Sequence, residues 1–199
     1  MLNSEEIRKV LKIKGMVRGV VFRTDARYVL ETKGEEGMKM VEAEIQKAGQ
    51  PISYGSGVKA TKWYPLSWRI LSLLTIQEVF HWGEKEIFEM GEAAPKYSFI
   101  IKTLLRYFVS LEKTFIESAK YWEEHYSVGK LEAPEIDVRG RHLVLQLKGF
   151  EGHPVLCLYL RGYFKTVALL AIRTKSMTIK ETKCVFKGDS YHEFIIDWK

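Results

Sequence analysis

His153-Pro154-Val155-Leu156-Cys157 opens the stretch whose reading decides the fold. It continues as an apolar segment to Ile172 and then as Met177-Thr178-Ile179-Lys180-Glu181-Thr182-Lys183-Cys184. A Lys187-Gly188-Asp189-Ser190 turn follows, and then Tyr191-His192-Glu193-Phe194-Ile195-Ile196. Leu156, Leu160, Tyr163 or Phe164, Val167 and Leu170 recur at helical spacing, which predicts a helix with a buried stripe. The two later runs, joined by a Gly-Asp turn, read as a β-hairpin. That turn brings Cys184 close to His192, and the preceding helix can deliver Cys157 to the same end.

Cys157, Glu181, Cys184 and His192 would then supply thiolate, carboxylate and imidazole, the donors zinc accepts in a closed tetrahedron. One feature resists this reading. Glu181 and Cys184 are three apart, so a regular strand points them to opposite faces, and a shared ion requires a bulge or strand start near Thr182. No C-x-x-C knuckle announces zinc. The same residues also read as ordinary packing: Cys157 as a small core residue on an apolar helix, Cys184 as a strand residue, Glu181 and His192 as solvated positions.

The pattern Cys157-x-x-x-x-Gly162, then Glu181-x-x-Cys184-x-x-x-Gly188-Asp189-x-x-His192-x-Phe194, resembles the C-terminal signature of the 4-vinyl reductase domain family. In aromatic-responsive transcription activators containing that domain, the matching Cys, Glu, Cys, Cys set binds a structural zinc. The resemblance therefore implies a structural zinc on Cys157, Glu181, Cys184 and His192. His192 stands where the family usually has its last Cys, and imidazole is an equally good zinc ligand.

Working outward, residues 142–148 alternate His142, Val144, Gln146 and Lys148 with Leu143, Leu145 and Leu147, a half-buried strand. Before it, Leu104, Phe108, Leu111, Phe115, Ala119 and Trp122 mark one face of a long helix over residues 97–126, the expected spine of the fold. Upstream, Ser4 reads as a helix cap, Thr24 and Asp25 as a helix start, and Gly34 as a break before a helix that ends at Gly49. Trp63-Tyr64-Pro65 leads into a helix over residues 66–80, and a short helix is expected over 84–91. The predicted fold is α+β. A helical N-terminal half with a long central helix precedes a small antiparallel sheet with a packed helix and a C-terminal hairpin. Residues 1–199 read as one ligand-binding-type domain, mainly helical over 1–130 and α+β over 131–199.

Composition narrows the class. The 199 residues are 46% hydrophobic and 28% charged, which is globular and long enough for a real core. The net charge of +6 is scattered over Arg18, Arg23, Arg27, Lys96, Lys102, Arg106, Arg139 and Arg141, with no compact basic helix, which argues against nucleic acid as a partner. Charges in residues 1–14 speak against a secretory signal. No uninterrupted apolar stretch reads as membrane-spanning, so a soluble cytoplasmic protein without a membrane partner is expected. There, two cysteines point to metal or packing before disulfide. A single asparagine, Asn3, amid abundant Lys and Glu is the bias of a thermophilic source.

The element order is similar to that of the wider superfamily of haem nitric-oxide-binding domains, transport protein particle subunits and 4-vinyl reductase domains. The haem-binding members hang haem on a His of the middle helical region and clamp its propionates with Tyr-x-Ser-x-Arg. Residues 92–111 contain no His, and Tyr126-Ser127-Val128-Gly129-Lys130 does not fit that motif, so no haem is expected. The fold implies a cavity between long helix and sheet, with Trp122, His125, Tyr163 and Phe164 as candidate lining. No nucleotide fingerprint, nucleophile motif or paired carboxylates speak for an enzyme. The resulting expectation is a non-catalytic sensor or binding module. It takes a hydrophobic small molecule, carries a structural zinc, and acts as a homodimer or through a regulatory protein partner. An accessory factor or reductase of tetrapyrrole metabolism, and a scaffold subunit of a complex, are the alternatives.

Overall fold

The structure, a computed structural model, describes residues 2–50, 52–54, 57–97, 111–172, 174 and 176–199. In chain order the elements are α1 (Ser4–Leu11), β1 (Met16–Arg18), α2 (Gly19–Lys47), β2 (Trp63–Pro65), α3 (Leu66–Phe80) and α4 (Glu84–Tyr97). Then come α5 (Leu111–His125), β3 (Lys130–Asp137), β4 (His142–Lys148), α6 (Pro154–Ile172), β5 (Met177–Lys183) and β6 (Tyr191–Trp198). This is the α+β arrangement read from the sequence, helices first and sheet last.

Several boundaries differ from expectation for local reasons. Asn3, not Ser4, caps α1: its side-chain oxygen accepts from the Glu5 and Glu6 N–H groups, and Glu6 reaches back to the Asn3 N–H, a reciprocal capping box. Helix α2 starts at Gly19 and carries Asp25 inside it, buried, so Asp25 is no helix-start residue. The break at Gly34 is present, with φ 70 and ψ −173. Helix α4 runs past Gly91 to Tyr97. Gly91 is where α6 crosses: a Cβ there would lie 2.0 Å from the Tyr159 carbonyl oxygen, and one on Gly162 would lie 2.1 Å from that of Phe88. Two glycines thus let the backbones of α4 and α6 touch, and one of them mimics a helix stop in the sequence. The expected helix over residues 97–126 appears as α5, and its part over 98–110 lies outside the described residues.

The larger sheet is antiparallel with strand order β3-β4-β6-β5. Strand β3 was not expected; Pro134 lies where its register to β4 shifts, between Glu132 and Glu135, as edge strands tolerate. Leu143, Leu145 and Leu147 of β4 and His192, Phe194 and Ile196 of β6 are buried on one face. Phe164 of α6 meets Phe194 there, edge to face at 5.3 Å. The buried stripe of α6 ends near Ala168, and Leu170 is exposed. By length and composition α6 does reach the span of a membrane, against expectation, but 56% of that span is buried. Its packing on α4, β5 and β6 makes it the central core helix.

Candidate metal centre

Strand and turn geometry bring Cys157, Glu181, Cys184 and His192 together. The bulge that a shared ion requires is present: the β5–β6 register shifts between Glu181 and Lys183, which turns Cys184 back to the face of Glu181. Cys184 then enters a short 3-10 turn over Val185–Lys187, closed by Gly188 at φ 96, a value that suits glycine. Asp189 accepts a hydrogen bond from the Cys184 N–H at 2.8 Å, so the turn fixes this cysteine's backbone. Cys157 arrives from the first turn of α6, and His192 from the inner face of β6.

One donor atom from each residue lies within 4.8 Å of all the others. Sγ of Cys157 is 3.9 Å from Sγ of Cys184 and 3.7 Å from Nδ1 of His192, which is 3.2 Å from Oε1 of Glu181. A tetrahedral zinc with ordinary bond lengths requires edges of about 3.8 Å for S to S, about 3.6 Å for S to N and about 3.3 Å for N to O. These three edges match, and the sulfur separation is far too long for a disulfide. Nε2 of His192 lies 2.9 Å from the Phe150 carbonyl oxygen. A carbonyl only accepts, so Nε2 carries the proton and the lone pair of Nδ1 faces the cluster.

Burial, with Glu181 and Cys184 alongside, pushes the Cys157 thiol far above its ordinary value. Burial also works against the Glu181 carboxylate, but its neighbours His192, Cys184 and Cys157 outweigh it and hold its pKa low. A divalent cation reverses the logic for thiols, because coordination removes the proton.

A second polar cluster was missed in the sequence. Arg69 of α3 is buried and closed on Asp25 of α2, Nε to Oδ2 at 3.0 Å and Nη2 to Oδ1 at 3.3 Å. Tyr159 of α6 donates its hydroxyl proton to Oδ1 of Asp25 at 2.7 Å, its ring lies under the guanidinium, and Arg69 Nη1 donates to the Tyr126 hydroxyl. Burial opposes the charge on Arg69, but Asp25 more than compensates and its pKa is raised. Burial next to Asp25 lifts the Tyr159 phenol well above its usual range. A signal existed: Arg69 is the lone charge in Leu66-Ser67-Trp68-Arg69-Ile70-Leu71-Ser72-Leu73-Leu74.

The four candidate ligand-lining residues have these partners. Trp122 is buried, donates Nε1–H to the Val128 carbonyl at 3.0 Å and stacks on Tyr126 at 4.2 Å. His125 is half-buried with Nδ1 2.9 Å from the Tyr121 carbonyl, and burial lowers its pKa. Tyr163 meets Phe164 edge to face at 5.9 Å, and burial drives its phenol pKa up, with Tyr121 and Tyr126 adding to the rise. Phe164 is core beneath the sheet.

No family model and no curated protein matches this chain. Solved structures do. An H-NOX protein from S. oneidensis in the Fe(II)NO ligation state superposes with a TM-score of 0.68 at 14% identity, over 92% of this chain and 99% of that one. Unliganded Fe(II) H-NOX from K. algicida gives 0.62 at 12%, over 92% and 96%. A Tt H-NOX variant gives 0.69 at 9%, over 92% and 95%. The chain therefore shares the fold of these H-NOX structures.

The expectation of no haem is corrected by these neighbours, since the solved structures that share the fold are Fe(II) H-NOX domains. That expectation rested on two residue patterns. The structure adds that Arg69, the buried cation nearest Tyr126, is already closed on Asp25. Any haem would meet this chain through residues other than the two patterns sought.

Proposed function

We propose that this chain is a non-catalytic small-molecule sensor or binding module whose C-terminal hairpin is closed by a structural zinc on Cys157, Glu181, Cys184 and His192. The observation that carries it is the set of four donor atoms within 4.8 Å of one another, three of whose separations match the edges of a zinc tetrahedron. Two thiolates, one carboxylate and one neutral imidazole fill every position of such an ion, leaving none open for Lewis-acid work. The metal's part is to pin β5, the turn and β6 to the start of α6. The resemblance of these residues to the 4-vinyl reductase signature supports the same reading.

The sensor part is supported by the likeness to H-NOX domains. The ligand is a hydrophobic small molecule held between α5 and the sheet by Trp122, His125, Tyr163 and Phe164, with residues 1–199 acting as one binding unit. Haem is the first ligand to try, because the neighbours are haem domains. Output passes through a homodimer or a regulatory partner.

Metal content by mass spectrometry, on protein purified without chelator or affinity nickel, tests the first part. One zinc per chain in the wild type and none in Cys184→Ser is the expected result; no metal in either defeats it. For the second part, haem and a panel of hydrophobic compounds are added and melting is followed, since a ligand bound only by the folded state raises Tm. No new haem absorption band and no Tm rise across the panel would remove the sensor reading.

A further inference from the structure

The metal cluster and the Asp25–Arg69 pair are joined by an unbroken line of buried contacts. His192 Nε2–H donates to the Phe150 carbonyl. The Phe150 ring stands edge-on to His192 at 6.4 Å, to Trp122 at 5.3 Å and to Tyr126 at 6.0 Å. Trp122 lies flat on Tyr126, with only 11° between the rings, and the Tyr126 hydroxyl accepts from Arg69. A second line runs along α6, where Cys157 and Tyr159 are two residues apart and the Tyr159 hydroxyl donates to Asp25. Phe150, Trp122, Tyr126, Tyr159, Arg69 and His192 are all buried. In an interior packed this closely, a ring that turns displaces its neighbours.

From this geometry we infer that metal occupancy at the hairpin and the state of the Asp25–Arg69 pair are energetically linked, with Phe150 as the positioning residue between them and Trp122 as a built-in reporter. The inference rests on the metal reading above and adds its regulation. Coordination through Nδ1 fixes the His192 ring plane and keeps the proton on Nε2. That sets the Phe150 carbonyl, and with it the wedge that Phe150 drives against the Trp122–Tyr126 stack. Linkage is reciprocal: the factor by which a closed Tyr126–Arg69 contact tightens metal binding is the factor by which the bound metal favours that closed contact.

Cobalt(II) is the probe, because its thiolate absorption band reports occupancy of a Cys-containing site directly. Metal-free wild type, Phe150→Leu and Tyr126→Phe are titrated with it. Neither substitution removes a donor atom, and Phe150→Leu leaves the carbonyl that holds His192. Cobalt affinity falls about fivefold or more in both variants if the two ends are linked. Zinc, which is spectroscopically silent, then changes tryptophan emission in the wild type and not in Trp122→Phe. A purely structural loss lowers Tm while the folded protein keeps its affinity, so affinities within twofold of wild type in both variants overturn the linkage. A wild type that shows no cobalt–thiolate band instead defeats the metal reading itself. Should Phe150→Leu fail to fold, Tyr126→Phe decides alone, since it removes a single oxygen and keeps the stack.

Discussion

The two buried polar clusters are built on opposite principles. Around Asp25 and Arg69 every charge has its counter-charge from the protein: one carboxylate, one guanidinium, and two tyrosines completing the hydrogen bonds. Around Cys157, Glu181, Cys184 and His192 the protein supplies electron-pair donors alone, turned toward one another from α6, β5, the turn after it and β6. The first is closed, and so serves as a strut between α2, α3, α6 and the end of α5. The second has the composition of a receptor for a cation. Both lie in the interior, with Glu181 alone only partly buried, so what separates strut from receptor is the sign of the groups gathered.

The largest effect belongs to the strut. Arg69→Met leaves Asp25 buried without its cation, and removing one partner of such a pair costs about 3–5 kcal/mol. Denaturant unfolding of Arg69→Met, of Asp25→Asn and of the double variant closes a cycle, and the double variant should recover much of the loss. If either single change costs under about 1 kcal/mol, the pair behaves like a surface bridge and the distinction fails.

The receptor should respond to its ion and the strut should not. Free zinc at 100 to 1,000 times its dissociation constant stabilises the folded state by roughly 2.7–4.1 kcal/mol. A chelator should remove that increment from wild type and find nothing to remove in Cys184→Ser. Calorimetry with and without chelator checks it, and an equal chelator effect in both proteins would place the ion elsewhere.

The two clusters also differed in how far they could be read beforehand. Cys157, Glu181, Cys184 and His192 were legible as one set through the resemblance of their pattern to the 4-vinyl reductase signature, since their spacing alone also reads as packing, and the Thr182 bulge followed from the period of a strand. Asp25 and Arg69 are 44 residues apart in sequence, and nothing in charge or period says that one meets the other; the only clue was a lone arginine on an apolar helix. The helix–hairpin order of residues 153–198 was legible from periodicity. Strand β3 was not, because its charged residues and Pro134 disguise an edge strand. Haem was misjudged because the expectation looked for two motifs, whereas the likeness to haem domains lies in the path of the backbone.

Both clusters hang from α6, so its crossing with α4 is the next place to separate them. Gly162→Ala puts a methyl 2.1 Å from the Phe88 carbonyl, and overpacking of this kind costs about 1–3 kcal/mol. Cys157 lies before the crossing and Tyr159 meets α4 through its backbone carbonyl, so the expected result is a lower Tm with cobalt stoichiometry unchanged. A variant as stable as wild type would mean that the helices separate freely there.

The smallest effect belongs to an exposed relative of the strut, and it measures how much of the strut's strength burial supplies. On the outer face of the sheet, Glu132 takes Lys130 and Lys148 at 2.7 Å each. Hydrogen bonds from Lys130, then from Lys148, lower its carboxyl from 4.5 to about 2. A carboxyl whose folded pKa lies below its unfolded value adds stability that is whole above the ordinary carboxylate range and is lost as pH falls through the folded pKa. Wild type should therefore lose slightly more Tm than Glu132→Gln between pH 4.5 and pH 2, with the two converging at the acid end. Because the groups face water, raising the salt to about 1 M should erase most of the difference. A gap that persists in salt would show that this face of the sheet is covered, and that the contrast between buried and exposed pairs has to be redrawn.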